Sequence, residues 1–280
     1  MNNRIFNRCY LLLLHLCALF CLGLLVCLAI VLIVKGGRSI NLAFLASATE
    51  QFGSSGGILY QIFGSLLLVG TTATITFPIA LGFALFKSEW ISNRSLQRIL
   101  EGLLLQMNGI PSIIFGLFGL IFFLNWLNTG LSWFVGSLVL SMMILPTVTL
   151  ATYHAIHSLP RQYRENAQSL GLDRWQLIWR VILPRGMSGT VSGLFIGLAR
   201  AIGETAPIMF VATAFSGVDI PRSLQEPVLS LPTHILTLAQ HATDPSALQN
   251  AWGSSLVLFI LVLVFSAIAY LIRTRFQLHY

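Results

Sequence analysis

Charged residues are scarce in this chain of 280 residues, because lysine, arginine, aspartate and glutamate together make up only 9% of it. An ordinary soluble domain carries roughly 25% charged residues, so the composition excludes a protein whose whole surface faces water. The sequence also lacks the Gly-x-x-x-x-Gly-Lys-[Ser/Thr] phosphate loop. The chain therefore does not hydrolyse nucleotide by that route, and if it uses such energy, the energy must arrive through a docked subunit.

Residues that bind metals or act as nucleophiles are few. The four cysteines lie at or within one apolar run, where thiols behave as small apolar side chains. We assign no role to these residues, which are Cys9, Cys17, Cys21 and Cys27. The histidines His154 and His157, and likewise His234 and His241, are not joined by a cysteine or carboxylate at ligand spacing. We predict solvated or interfacial histidines and no metal site.

Hydrophobic residues make up 56% of the chain and form long runs. A helix needs about 20 apolar residues to cross the hydrocarbon core, and backbone groups in lipid must be satisfied inside the spanning element. We therefore predict an all-α integral membrane protein with one transmembrane domain over residues 1–280. Its six predicted spans cover residues 10–34, 59–86, 103–124, 131–152, 189–215 and 252–272.

The first apolar run has one feature of a secretory signal, since Arg4 and Arg8 precede it. It is longer than the roughly 7 to 15 apolar residues of a signal core, and no small-x-small cleavage site follows within it. We expect this run to be retained as a transmembrane helix.

Basic residues are distributed unequally between the segments that connect the spans, and such bias sets membrane orientation. With a cytoplasmic N-terminus, the outer side receives only Lys35, Arg38 and Arg222. The inner side receives Arg4, Arg8, Lys87, Arg94, Arg98, Arg161, Arg164, Arg174, Arg180, Arg185, Arg273 and Arg275. We predict that both termini are cytoplasmic, and that the net charge of +7 reflects topology and not nucleic-acid binding.

The longest inner connection, residues 159–185, carries five arginines and no apolar run of spanning length. Pro160 suits the first turn of a helix, and Gly171 suits the break that follows it. Asp173 and Gln176 have the spacing of a capping box at the start of a second helix. The segment is therefore predicted to form two short helices at an angle.

The second of these short helices is amphipathic. Helical spacing would place Trp175, Ile178, Trp179 and Ile182 on one side of it. Such a segment either lies in the headgroup layer or docks into a groove on a cytoplasmic partner, and the pattern alone leaves both interpretations open.

An arginine and a glutamate stand four residues apart in the apolar stretch "LARAIGETAP", which begins at Leu198. Charges at membrane depth are costly and normally face the bundle interior or a water-filled path. Arg200 and Glu204 could form a salt bridge that only sets packing. Alternatively they form a gate or an anion site, because a guanidinium offers a planar fork of donors that suits oxyanions.

A different class of protein is suggested by "GSSG" at residues 53–56, which matches the Gly-x-Ser-Gly pattern of intramembrane serine proteases. Such an enzyme needs its serine at membrane depth beside a histidine. Ser55 is predicted to lie in an outer loop, and the last span contains no histidine. A flexible Gly/Ser linker explains the run, and we assign no catalytic residue.

The inner connection resembles the EAA loop of ATP-binding-cassette importer permeases. Glu165, Ala167, Gly171, Leu183 and Pro184 match its pattern, whereas Asn166 and Val181 are mild departures. The resemblance implies a type I importer permease fold, in which residues 159–185 dock onto an ATPase subunit. The implied coupling residues are Arg164, Glu165, Ala167, Gly171, Asp173, Leu183 and Pro184.

Three longer stretches are similar to the A-type permease subunit of phosphate-specific importers, the PstA family. They are "LARAIGETAPIMF", "NGIPSIIFGL" and "SLPTHILTLAQHATDPSALQNAWGSSLVL". This resemblance implies ATP-driven import of inorganic phosphate across a bacterial inner membrane. It places Arg200, Glu204 and Thr205 on the translocation path.

The same resemblance implies the partners of the chain. They are a second, C-type permease, two ATPase subunits that bind ATP and magnesium, and an external phosphate-binding protein on the outer segment, residues 217–250. The chain itself is expected to bind no cofactor and to catalyse no reaction. Permeases for sulfate, molybdate or tungstate share the coupling loop, so another oxyanion remains the alternative substrate.

Overall fold

A computed structural model describes residues 2–50, 55–214, 220–241 and 243–277. Gly53 and Ser54 of the Gly/Ser run, and residues 217–219 and 242 of the expected outer segment, lie outside these ranges. The described elements are α1 (Asn2–Gly36), α2 (Leu42–Ala46), β1 (Thr49–Glu50), β2 (Ser55–Gly56), α3 (Leu59–Glu89), α4 (Arg94–Asn108), α5 (Ser112–Gly119), α6 (Trp133–His157), α7 (Arg161–Ser169), α8 (Arg174–Leu177), α9 (Leu183–Ala201), α10 (Ala206–Val211), α11 (Leu231–Gln240) and α12 (Pro245–Gln277).

Helix α6 is the centre of the bundle. It packs between α3 and α9, and Val139, Leu140 and Ile144 on it are fully buried. Hydroxyl groups join α6 to α3, since Thr72 donates to the Ser137 carbonyl and Ser141 donates to the Thr72 carbonyl. Small polar residues of this kind let helices approach closely and satisfy backbone groups in a membrane.

Five helices of the described chain are long and apolar enough to cross a bilayer, namely α1, α3, α6, α12 and the continuous helix Arg174–Ala201. Four of them lie where the sequence predicts spans 10–34, 59–86, 131–152 and 252–272. Helix α1 lies at the edge of the bundle and packs mainly against α12. There Lys35 Nζ lies 4.8 Å from the ring centroid of Trp252.

The predicted span 103–124 is not one straight helix. Helix α4 and the helical stretch Ser112–Trp126, which begins with α5, are long and apolar enough to cross a bilayer only as a pair, and the pair is bent by 88°. The break falls at Gly109–Pro111, where proline has no N–H to donate and disfavours helix at the preceding Ile110. After α5 the chain continues as a π-helical segment, Leu120–Trp126.

The predicted span 189–215 also differs from the structure. One helix runs from Arg174 to Ala201 and joins α8 to α9 through a π-helical segment, Ile178–Ile182. The second short helix of the inner connection is therefore the start of a spanning helix. Pro184 explains the π segment, because it cannot donate the next hydrogen bond and Leu183 N–H instead bonds to the Ile178 carbonyl, five residues back.

The end of the bundle opposite α7 holds α2, the β1–β2 hairpin and α11. Phe44, Ile58 and Leu231 form a small core there. His234 of α11 is only 9% exposed, and its Nδ1 lies 3.4 Å from Gln61 Nε2. We expected a solvated or interfacial His234, but the structure buries it, because α11 packs this face against α3 and α12. His241 is exposed, as expected.

We predict that acid destabilises this end of the molecule through His234. Burial lowers the pKa of His234 to about 4, from an ordinary value of 6.5. The unfolded chain therefore binds a proton that the folded chain does not between these values, and stability falls as pH drops from 6.5 to 4, by on the order of 3 kcal/mol. Thermal unfolding in detergent across this range measures the effect.

His234→Gln should flatten that pH dependence, whereas His241→Gln, at an exposed position of the same segment, should leave it unchanged. An identical pH profile for the wild type and His234→Gln would show that His234 does not carry the effect.

Candidate functional site

The stretch "LARAIGETAP" lies at a break between two helices. Helix α9 ends at Ala201, and the Ile202, Gly203 and Glu204 amides bond back to the Leu198, Arg200 and Ala201 carbonyls. Helix α10 begins at Ala206, with proline in its first turn. Gly203 and Pro207 favour such an interruption. Proline has no N–H to donate, and glycine loses more conformational entropy than other residues when it becomes helical.

Arg200 and Glu204 form an ion pair across this break. Arg200 Nε lies 3.5 Å from Glu204 Oε1, and the two side chains are 39% and 17% exposed. This distance is longer than the 2.7–3.2 Å of most N–H···O hydrogen bonds, so the contact is loose. The salt bridge that the sequence left as one alternative is present, but it is not sealed in a dry seam.

Two stretches that are far apart in the sequence meet beside this pair. Thr205 precedes α10 as its half-buried N-cap residue, without a side-chain capping bond. Helix α10 packs against α5, so that the stretches beginning at Leu198 and Asn108 are neighbours. A β-carbon added to Gly116 would overlap Pro207 and Phe210, which makes glycine necessary at this contact.

The connection after α6 forms a compact elbow. Helix α7 ends at Ser169, and Gly171 follows with a φ of +76°, a left-handed conformation that favours glycine. Asp173 Oδ1 accepts from the Gln176 amide, and Gln176 Oε1 accepts from the Asp173 amide. The predicted break at Gly171 and the predicted capping box are both confirmed.

Arg164 fixes α7 to the rest of the bundle. Its Nη2 lies 3.1 Å from Glu89 Oε1 at the end of α3. It also donates to the carbonyls of Ile156 and Leu159, where a cation complements the carboxyl end of α6. Of the other predicted coupling residues, Glu165 and Pro184 are exposed, Leu183 is half-buried and Ala167 is buried against the bundle.

The apolar side chains of the next helix share one side, but only part of that side is buried. Ile178 and Ile182 are buried beneath α7, whereas Trp175 and Trp179 are 63% and 64% exposed. These four positions fall within about 100° around an α-helix, so they share one side as predicted, and the edge of the buried face falls between the two isoleucines and the two tryptophans. The elbow therefore presents two tryptophans together with exposed Leu170.

A buried lysine at the same end was missed in the sequence. Lys87 is fully buried, and its Nζ lies 3.1 Å from Glu101 Oε2 and 3.7 Å from the ring centroid of Tyr153. The three residues belong to α3, α4 and α6, so the contact joins three helices. In the sequence Lys87 reads as an ordinary inner-side charge, because only the tertiary structure brings Glu101 and Tyr153 to it.

A bundle of spanning helices with an interrupted, charge-bearing helix and an arginine-anchored elbow defines a membrane permease. The chain matches the family model for "Binding-protein-dependent transport system inner membrane component" over residues 77–278. It belongs to this family of ATP-binding-cassette (ABC) importer permeases, which excludes the serine protease alternative.

Relatives and solved structures agree with this assignment. The probable ABC transporter permease protein YqgI of Bacillus subtilis is 28% identical, with 96% of this chain and 95% of that protein covered. The probable phosphate transport system permease protein PstA of Methanocaldococcus jannaschii is 33% identical, with 80% and 79% covered. A chain of a bacterial alginate ABC transporter, solved with an alginate-bound periplasmic protein, has a TM-score of 0.65 at 19% identity, with 95% and 94% covered. The structural likeness shows the type I importer fold.

We predict that Glu101→Gln destabilises the protein more than Lys87→Met does. The first change leaves a buried ammonium without its counter-charge, whereas the second removes the charge itself. Breaking a fully buried pair costs about 3–5 kcal/mol, and we expect about 1–3 kcal/mol here because Glu101 is 37% exposed. Thermal unfolding of the purified variants measures the difference.

The double variant Lys87→Met/Glu101→Gln should recover part of the loss caused by Glu101→Gln. Arg98→Gln, at an exposed position of the same helix α4, serves as the control. A larger loss for Lys87→Met would mean that packing of the lysine stem matters more than its charge.

Proposed function

We propose that the chain is a permease subunit of an ATP-driven, binding-protein-dependent importer of inorganic phosphate. The observation that carries the proposal is the loose and accessible Arg200–Glu204 pair at the break after α9. A guanidinium binds an oxyanion through its planar fork of donors, and the carboxylate compensates its charge when no anion is present. The pair would open when Arg200 binds the anion and close when the anion leaves, and it would thereby act as a gate.

Phosphate is favoured as the anion by the relatives. Among them, the Methanocaldococcus jannaschii protein is described as a phosphate transport permease and covers most of the chain. Sulfate, molybdate and tungstate are the alternatives, since a guanidinium also binds these oxyanions. The stretch from Leu198 to Pro207 supports phosphate over these alternatives.

Coupling to ATP is assigned to the elbow between α7 and α8. Arg164, Glu165, Ala167, Gly171, Asp173, Leu183 and Pro184 form or support the surface that an ATPase subunit would contact. The exposed Trp175 and Trp179 supply apolar area on that surface, and aromatic residues are common in the buried centre of protein interfaces. Two such ATPase subunits would bind ATP and magnesium, and this chain would bind neither.

The remaining partners complete an importer of the alternating-access type. A second, C-type permease would pair with this chain around the path, and an external phosphate-binding protein would dock on residues 217–250. The alginate transporter solved with its periplasmic protein supports a partner of this general kind. We place the chain in a bacterial inner membrane with both termini in the cytoplasm, as the distribution of arginine and lysine indicates.

Substitution of the gate tests the transport proposal. In vesicles containing the chain with its ATPase, partner permease and binding protein, Arg200→Gln and Glu204→Gln should each lower uptake of labelled phosphate at least about tenfold, equal to roughly 1.4 kcal/mol. The complex should remain assembled, because the Arg200 side chain is partly exposed and its contact with Glu204 is loose. Excess sulfate or molybdate should not compete with phosphate.

Arg98→Gln, which removes an exposed arginine remote from α9, should transport normally. Unchanged uptake in both gate variants would refute the gate. Competition by sulfate or molybdate would show that the transported anion is another oxyanion and not phosphate.

Substitution of Gly171 tests the coupling proposal. Gly171→Pro should lower co-purification of the ATPase and transport-coupled hydrolysis, because proline fixes φ at about −65° and Gly171 needs +76°. Gly171→Asn should retain both, since asparagine adopts the left-handed conformation and no neighbour obstructs a side chain there. Normal coupling in Gly171→Pro would contradict the role of the elbow.

A further inference from the structure

A cavity of about 550 Å³ lies between α6 and α9, next to the start of α7 and the end of α12. Small residues line its inner wall, where Gly189 and Gly193 of α9 face Ala155 and Ala151 of α6 so closely that a β-carbon on either glycine would overlap the alanine. The wall is apolar there, and the two helices cannot approach further.

The polar side chains of this cavity are basic or neutral. Arg185 and Arg273 line it with His154 and Ser188, and no aspartate or glutamate belongs to its described lining. The Arg185 guanidinium lies 3.6 Å from the ring centroid of Tyr163, a contact that fixes its plane. Arg273 is exposed and forms no ion pair within the described part of the chain.

The position of the cavity suggests what occupies it. It opens at the α7 end of the bundle, where spanning helices meet the polar layer, and it joins an apolar wall to two arginines. Basic pockets between helices on the cytoplasmic side bind anionic lipid headgroups, and guanidinium groups bind phosphate oxygens in bidentate geometry.

The cavity also lies on the same helix face as the gate. Arg185, Gly189, Ile196 and Arg200 follow one another at helical spacing along α9. Arg200 lies fifteen positions after Arg185, which is about 22 Å at 1.5 Å per residue. A phosphate ion that passes Arg200 would therefore meet a second arginine on the same face near the other end of the helix.

We propose that this cavity is a phosphate-group site in which Arg185 and Arg273 hold the anion. The group belongs either to the headgroup of an anionic phospholipid, whose chains cover the apolar wall, or to inorganic phosphate. The site does not depend on the transported substrate, because a lipid headgroup supplies the same chemical group.

Two binding measurements on the full chain, purified with the subunits that accompany it, test the site. In the first, the protein is placed in nanodiscs of phosphatidylcholine with or without phosphatidylglycerol, and retained lipid is counted by native mass spectrometry. In the second, equilibrium dialysis measures binding of labelled inorganic phosphate to protein in neutral detergent. Arg185→Gln and Arg273→Gln should each weaken binding of the occupant about tenfold, because each removes a charge-assisted contact.

Matched controls are Arg180→Gln and Arg275→Gln, which remove nearby arginines that do not line the cavity. Arg273 is exposed, so Arg273→Gln is expected to fold even if Arg185→Gln does not. Selective retention of phosphatidylglycerol that the cavity variants lose identifies a lipid, and phosphate binding that they lose identifies the free ion. Binding of neither probe by the wild type, or equal binding by the wild type and Arg273→Gln, would overturn the proposal.

Discussion

The helix from Arg174 to Ala201 is the constraint on which the rest of the structure depends. Its 28 residues span about 42 Å at 1.5 Å per residue, so one rigid element begins at the elbow and ends at the break beside Arg200. A displacement of the elbow must therefore move the break as well, because a hydrogen-bonded helix resists compression and bending. The π segment at Ile178–Ile182 is the one irregularity in this element, and it lies where Pro184 requires it.

Charge pairing explains how so apolar a bundle tolerates ionised residues. Burial of an unpaired charge is expensive. The described part of the chain contains three ion pairs, in which the nitrogen and the carboxylate oxygen lie 3.1 to 3.5 Å apart. The pairs differ in exposure, since Lys87 is fully buried whereas Arg200 is 39% exposed. The two pairs near α7 therefore hold helices together, and the pair after α9 has the most exposed basic side chain of the three.

The sequence predicts the straight spans well, because each of α1, α3, α6 and α12 contains an apolar run of spanning length. It also predicts the helix break at Gly171 and the Asp173 capping box, because both depend on local backbone chemistry. It does not predict that α8 continues into α9, because the intervening arginines interrupt the apolar run. Nor does it predict the partner of Lys87, because that contact joins residues from three helices and depends on how the helices pack.

Gly116 joins the two helices that follow the breaks, α5 after Gly109–Pro111 and α10 after the end of α9. Helix α5 lies so close to α10 that a β-carbon at Gly116 would overlap the Pro207 backbone, and close-packed contacts of this kind do not slide by small steps. Helices α5 and α10 must therefore move together. The Arg200–Glu204 contact, at 3.5 Å and partly exposed, is looser than this seam. A pull along α9 should consequently separate the end of α9 from the α5–α10 unit, and it should do so at the ion pair.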